Sequence, residues 1–303
     1  MIRSVIIRLS DYLFVLRPAL LVPVWTIYLR GAAARSEHVP AATDPATIAV
    51  LIMHLLLFGG VYVLNQVYDL DTDRVNDKGH ILTRGIIQPK TARYMHLLLS
   101  LLGLGLAWWQ SYRMFALALV IVVLGIAYSA PPWRLKDRPF PALAVNALAH
   151  GSIVFLSGWF LGTTGWIAGL VASLPYLFAV GAVYILTTVP DTAGDREVGK
   201  RTLAVHMGPE RAARWALGWY WAALLSGLYT VDVVFVFAAL PTAPLYWRAA
   251  GGDPVRARRA ILWSVGLLSL AAGFHYPWYL GLLGAGWLAA RIYYRRRLGV
   301  SFP

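Results

Sequence analysis

Apolar runs alternate with short polar connections along almost the whole chain, and most runs are near the twenty residues that cross a bilayer as a helix. Read at that length, the pattern predicts spans at roughly 16–33, 46–67, 92–109, 113–131, 141–161, 166–188, 210–228, 230–247, 260–274 and 276–293. The last two are close enough to form one hydrophobic hairpin. The first carries Arg17 at its start and lacks a small-residue cleavage site, which reads as a retained helix rather than a signal peptide. No linker or low-complexity stretch interrupts the series. The 303 residues therefore read as one all-α domain, a polytopic membrane bundle of nine or ten transmembrane helices.

Composition agrees with that pattern. Hydrophobic residues make up 59% of the chain and charged residues only 14%, well below the ~25% of soluble domains. Thirteen Trp and sixteen Tyr suit a protein with two membrane–water interfaces to anchor. The absence of cysteine excludes disulfides, thiolate metal sites and a Cys nucleophile.

A net charge of +13 could suggest nucleic acid, but the placement of Lys and Arg argues against that partner. With the predicted loops taken alternately, 24 basic residues fall on one side and only Arg30, Arg35 and Arg113 on the other. Such asymmetry is the positive-inside signature, so it places both termini in the cytoplasm and favours ten spans.

Two acidic patches interrupt the apolar pattern on that same side. "NQVYDLDTDR" (65–74) carries Asp69, Asp71 and Asp73, and "TTVPDTAGDR" (187–196) carries Asp191 and Asp195 in a matching skeleton. Four predicted spans separate them, so the simplest account is a parallel internal repeat with the patches facing each other. The alternative is two ordinary solvated loops, which the match in spacing and side makes the weaker account.

Asp69 and Asp73 are four apart, as are Asp191 and Asp195, so each pair lines one face of a helix that continues past the membrane surface. Carboxylates converging on one cavity repel each other by on the order of 3 kcal/mol per pair at ~5 Å. A cation must offset that repulsion. Hard oxygen donors without Cys favour Mg²⁺, which typically takes one or two carboxylates together with substrate phosphate oxygens. The natural substrate group is thus a diphosphate. Nearby bases fit it: Arg74, Lys78 and Arg84 follow the first patch, Arg196, Lys200 and Arg201 the second, and "YSAPPWRLKDRP" (128–139) supplies Arg134 and Lys136. Arg84, Lys136 and Lys200 are the candidate phosphate contacts. Arg93 and Arg138 read instead as lipid anchors.

These stretches resemble the motifs of the UbiA superfamily of intramembrane prenyltransferases. "NQVYDLDTDR" is similar to its first aspartate-rich motif, "PDTAGDREVGKRTLAV" (190–205) to its second, and "YSAPPWRLK" to a loop found in several branches. "LRP" (16–18) matches the usual entry to the first helix. The resemblance implies about nine spans around a central cavity open to lipid. It also implies metal ligation by Asn65, Asp69, Asp73, Asp191 and Asp195, with Tyr128 and Lys136 at the reacting centre. Arg17, Arg84 and Lys200 match as diphosphate contacts. Two departures stand out: Gln66 replaces the usual Asp, leaving an amide to bind Mg²⁺ or orient a water, and "NDKGHILTRGI" (76–86) lacks the prolines of many aromatic and chlorophyll branches.

The implied reaction is Mg²⁺-dependent transfer of an isoprenyl group from its diphosphate to an acceptor. A quinone-type aromatic ranks first, with a tetrapyrrole or a glycerol-phosphate lipid as alternatives. A transporter is the rival of a different class, since parallel repeats also suit carriers. Carriers, however, place ionisable groups near the midplane, whereas these acids cluster at one surface. Among the histidines, His54 and His150 read as core residues, and His80 and His206 as weaker candidates for a base. "PTAP" (241–244) is expected to kink its helix.

Overall fold

The structure, a computed structural model, describes residues 2–34, 44–75, 79–162 and 165–300, and among these all regular structure is helical. The chain begins with α1 (Ile2–Phe14), α2 (Leu21–Ala33), α3 (Pro45–Tyr68), α4 (Leu70–Val75) and α5 (His80–Thr83). It continues through α6 (Pro89–Gln110), α7 (Tyr112–Ser129), α8 (Pro139–Asn146), α9 (Val154–Trp159), α10 (Trp166–Thr188), α11 (Thr192–Glu197) and α12 (Leu203–Met207). The last helices are α13 (Pro209–Tyr229), α14 (Val233–Ala239), α15 (Ala243–Ala249), α16 (Pro254–His275) and α17 (Pro277–Tyr293).

Helix starts follow from local chemistry. Pro45, Pro89, Pro139, Pro209, Pro254 and Pro277 open their helices, where a missing N–H costs nothing because the first turn leaves it unpaired. Side-chain caps fix four of the boundaries. The carboxylates of Asp44, Asp232 and Asp253 and the hydroxyl of Ser111 accept the N–H of Thr47, Phe235, Arg256 and Met114 respectively. Hydrogen bonds from Thr47 also hold the Asp44 carboxyl below the usual carboxylate range. At "PTAP" the expected kink is present: a 3₁₀ turn, Leu240–Thr242, separates α14 from α15. A π-helical stretch, Ala147–Ile153, links α8 to α9 and had no sequence signal.

Each of the ten predicted ranges is largely helical, with turn or coil residues at the ends of several of them. Among the described residues, six stretches are long and apolar enough to cross a membrane: Ile7–Ala33, Pro45–Tyr68, Tyr112–Ser129, Pro139–Trp159, Trp166–Thr188 and Pro254–His275. Large apolar side chains along the helices stay exposed, including Leu97, Leu101, Ile167 and Phe274, as expected of surfaces that face acyl chains.

The chain divides into two compact units. The first comprises Met1–Val22, Ala42–Ala130 and Pro277–Pro303. In it α6 packs along α3, and Phe14, Val15, Val63, Val67, Ile81 and Tyr293 form a shared core. Phe14 and Tyr293 stack with ring centroids 4.0 Å apart. Buried Asp11 accepts from Tyr293 Oη at 2.7 Å and from Arg297 at 2.9 and 3.0 Å, which ties the N-terminal helix to the chain's end.

The second unit comprises Pro23–Ala41 and Pro131–Tyr276, with α10 packed along α13. Small residues let backbones approach here: a Cβ on Gly158 would stand 2.1 Å from the Tyr28 carbonyl oxygen, and one on Gly31 would stand 2.0 Å from that of Phe155. Any side chain at either position must push α2 and α9 apart. The unit also buries an ion pair. Arg30 Nη2 donates to Asp232 Oδ1 at 2.8 Å and its Nε donates to Tyr176 Oη at 3.2 Å, while Tyr176 Oη donates to Asp232 Oδ2 at 2.5 Å. Arg30 is therefore a packed, paired residue rather than a free loop charge.

Candidate active site

In the first unit, the helical hydrogen-bond ladder runs from α3 through the first acidic motif into α4. The Asp69 N–H donates to the Asn65 carbonyl at 2.9 Å and the Asp73 N–H donates to that of Asp69 at 2.7 Å. Asn65, Asp69 and Asp73 therefore share one face. Burial sorts the three acids. Asp69 and Asp73 are buried, at 7% and 9% exposure. The Asp71 side chain is 98% exposed and pairs with Arg74 at 3.2 Å, the behaviour of an ordinary surface acid.

Several neighbours set this face. Ser129, which follows Tyr128 at the end of α7, is fully buried and donates its hydroxyl to Asn65 Oδ1 at 3.2 Å. The half-buried Tyr128 is thereby carried on the same helix end that braces Asn65. Arg17 adopts a left-handed backbone, φ 54°, just before the turn at Pro18–Leu20, and its Nη2 lies 3.5 Å from Asp73 Oδ2. Gln66 has a structural task beside the one its sequence position suggests. Its amide nitrogen donates to the carbonyls of Val15 at 2.8 Å and Tyr62 at 3.0 Å, so it fastens the chain entering the first long span to α3. Arg84 donates to the Leu298 carbonyl at 2.7 Å and so anchors the C-terminal segment with one of its nitrogens. Lys78 and Arg35 fall outside the described residues.

Gly79 is a site residue that sequence reading missed. Its φ is +60°, and a Cβ there would stand 2.6 Å from Asp73 Oδ2. Gly85 has a similar φ, +68°, with nothing within 4 Å of the corresponding position. Gly79→Ala is expected to lower kcat by about tenfold or more, since the methyl displaces Asp73, and to lower stability by the about 1–2 kcal/mol that a left-handed backbone costs. Gly85→Ala carries the same backbone cost without the contact. Equal loss of kcat in the two variants would mean that Gly79 serves the backbone alone.

In the second unit, the matching motif also forms a helical turn. Asp191 immediately precedes α11, the Asp195 N–H donates to the Asp191 carbonyl at 2.9 Å, and the Lys200 N–H donates to that of Asp195 at 2.8 Å. Asp191, Asp195 and Lys200 are half-buried. The Thr192 hydroxyl donates back to the Val189 and Thr188 carbonyls, which stitches α11 to the end of α10.

Lys136 lies in a 3₁₀ turn, Leu135–Asp137, entered through Arg134 at φ 38° and braced by an Arg134–Asp137 ion pair of 2.9 Å. It is 6% exposed, whereas Arg138, two residues on, faces out. The two basic residues of this loop therefore differ in burial. The short helix α12 packs on both α11 and α8, and the His206 ring meets Phe140 edge to face at 5.9 Å. His206 thus packs against the helix that follows the Lys136 turn. His54 is fully buried in α3, as expected of a core residue.

Among the described residues, no three His, Cys, Asp or Glu side chains converge as a self-sufficient metal cage. The donor set nevertheless fits Mg²⁺. The ion keeps water and needs only one or two protein carboxylates when a phosphate supplies the rest. Asp69 and Asp73 offer a buried carboxylate pair on one helix face, with the glycine at 79 leaving room beside Asp73.

A model of the UbiA prenyltransferase family matches residues 21–260. The chain belongs to that family: it is a multi-pass integral membrane protein and a transferase of prenyl groups. It is similar to a homogentisate phytyltransferase of Synechocystis sp., with 29% identity over 234 residues, 72% of each chain. It is also similar to the digeranylgeranylglyceryl phosphate synthase of Pyrococcus abyssi, with 28% identity over 206 residues, 68% of this chain and 72% of the other. Its fold matches that of a UbiA homolog from Archaeoglobus fulgidus solved with GPP and Mg²⁺. There the TM-score is 0.69 at 21% identity, covering 90% of this chain and 99% of that one.

Proposed function

We propose that the protein transfers an isoprenyl group from an isoprenyl diphosphate to an aromatic, quinone-precursor acceptor, with both acidic motifs serving the same diphosphate. The observation that carries this reading is the buried pair Asp69 and Asp73 on one helical face, with half-buried Asp191 and Asp195 at the same spacing on a second helical turn. Asn65, Asp69, Asp73, Asp191 and Asp195 would hold Mg²⁺, which neutralises charge on the leaving diphosphate when bound.

The chain's own cations do the rest of that work. Lys136, Lys200 and Arg17 bind diphosphate oxygens, and Arg84 can add its remaining donors. As the bond between the prenyl C1 and its oxygen lengthens, negative charge gathers on the diphosphate, and the Lys136 ammonium stabilises it more than it stabilises the ground state. The prenyl carbon becomes cationic, and the face of Tyr128 favours that charge. Apolar helix walls exclude water, so the acceptor and not water bonds to the prenyl carbon, and the proton that the acceptor then loses leaves with the released diphosphate.

Similarity to a homogentisate phytyltransferase supports an aromatic acceptor. A second reading, a glycerol-phosphate lipid acceptor, is favoured by the similarity to a digeranylgeranylglyceryl phosphate synthase. Mass spectrometry of lipids from cells with and without the chain separates them. A prenylated aromatic present only with the chain supports the first reading. A prenylated glycerol phosphate overturns it in favour of the second.

The reading also requires both motifs on the cytoplasmic side, where soluble diphosphate and Mg²⁺ are available. The chain has no cysteine, so Thr72→Cys and Thr192→Cys each give a single label site. Both are expected to resist an impermeant thiol reagent in intact cells and to react after lysis. Labelling of only one of them in intact cells would put the motifs on opposite faces and break the shared-substrate reading.

A further inference from the structure

Three arginines that belong to neither acidic motif gather at the turn between α15 and α16. Leu245 and Arg248 are three apart on α15, and Arg256 and Arg259 are three apart on α16, so each pair shares a helix face. Together they line a cavity of about 360 Å³. Arg256 Nη1 donates to the Arg248 carbonyl at 3.5 Å, a long bond that bridges the two helices. Among the described residues, none of the three guanidinium groups forms an ion pair with a carboxylate. Asp253 is close in sequence, but its Oδ1 is engaged as the cap of α16, accepting the Arg256 backbone N–H at 2.7 Å.

The three guanidinium groups are exposed, so water and salt screen their repulsion, but together around one open cavity they make a positive field that favours an anion. Guanidinium forks match phosphate oxygens in particular, because planar paired donors meet paired acceptors. The surroundings say where such a phosphate comes from. Val233–Ala249 is apolar and Pro254–His275 is long and apolar enough to span a membrane, so the turn joining them sits at the membrane's edge. Trp247 and Val255, neighbours in sequence of Arg248 and Arg256, are exposed at 70% and 56%, and Leu262 and Trp263 are exposed farther along α16. An anion that binds here thus has apolar surface beside it for acyl chains, with an indole at the depth where headgroups lie.

We propose that this cavity binds the phosphate of an anionic membrane phospholipid, at a site separate from the residues assigned to prenyl transfer. The test is native mass spectrometry of the full chain released from micelles containing phosphatidylglycerol or phosphatidylcholine, with inorganic phosphate in a separate arm. Wild type is expected to retain phosphatidylglycerol. Changing Arg248→Gln, Arg256→Gln and Arg259→Gln together should lower that retention roughly tenfold or more. Arg256→Gln alone should lower it in part, which keeps the test decisive if the triple variant does not fold. Arg258→Gln, on the same helix but not among the cavity's lining residues, should leave retention unchanged. Equal retention by wild type and Arg256→Gln would overturn the proposal. So would an Arg258→Gln loss as large as that of Arg256→Gln, which marks diffuse surface charge, or displacement of the lipid by inorganic phosphate, which marks a site for a soluble anion.

Discussion

Asp69→Asn and Asp191→Asn are each expected to lower diphosphate release by about 10³-fold or more while leaving the protein folded. Losing a ligand to a catalytic cation removes several kcal/mol of charge stabilisation, and each 1.36 kcal/mol is tenfold in rate. The fold is spared because asparagine matches the shape of aspartate, and removing one of two neighbouring negative charges relieves repulsion. The first unit holds an internal control. Asp71 lies in the same stretch but is 98% exposed and paired with Arg74, so Asp71→Asn should stay within about twofold of wild type, as exposed pairs contribute little. Initial rates of diphosphate release, read beside thermal retention of the detergent-solubilised protein, check all three. Similar losses for Asp69→Asn and Asp71→Asn would show that acidity of the patch matters and that the buried face does not.

Lys136→Ala is expected to lower kcat by about 10²–10³-fold, or ~2.7–4 kcal/mol, with a much smaller rise in KM. In the proposed mechanism the ammonium acts on charge that grows as the carbon–oxygen bond breaks, and so would stabilise the transition state more than the bound substrate. Its burial at 6% exposure, in a turn braced by the Arg134–Asp137 pair, holds it in place without solvent screening. Lys136→Arg should recover only part of the rate, because a planar fork replaces a compact point charge. Arg138→Ala, at an exposed position two residues along, should change the rate by no more than a few-fold. Steady-state kinetics on the four proteins settles the assignment: parallel behaviour of Lys136→Ala and Arg138→Ala would make the whole loop a surface anchor.

Much of this arrangement is legible in sequence because it depends on local spacing. An apolar run of membrane length dictates a helix, since lipid offers the backbone no other partner. Acids four apart on a continuing helix dictate a shared face, and both motifs are helical turns of that kind. What depends on distant approach was not legible. Nothing near Arg30 announces Asp232, 202 residues away. Gly79 looks like any loop glycine until the Asp73 carboxylate is placed 2.6 Å from where its Cβ would be. Gln66 reads as a weakened metal ligand because its position in the motif is that of an aspartate. Its amide nitrogen is also held by two backbone carbonyls, a structural role that only the packing of Val15 against α3 reveals. Ser129 sat inside a recognised loop, yet its bond to Asn65 joins residues 64 apart.

The most direct measurement of the central claim is prenyl transfer by the full chain in liposomes. It would be supplied with isotopically labelled geranylgeranyl diphosphate and a hydroxylated aromatic acid, with metal first removed by chelator and then restored as Mg²⁺. The account predicts that labelled prenylated product and free diphosphate appear together, vanish with the chelator and return with Mg²⁺, and that Asp69→Asn and Asp191→Asn each suppress both. Product formation that persists in excess chelator, or that survives in both aspartate variants, would contradict it.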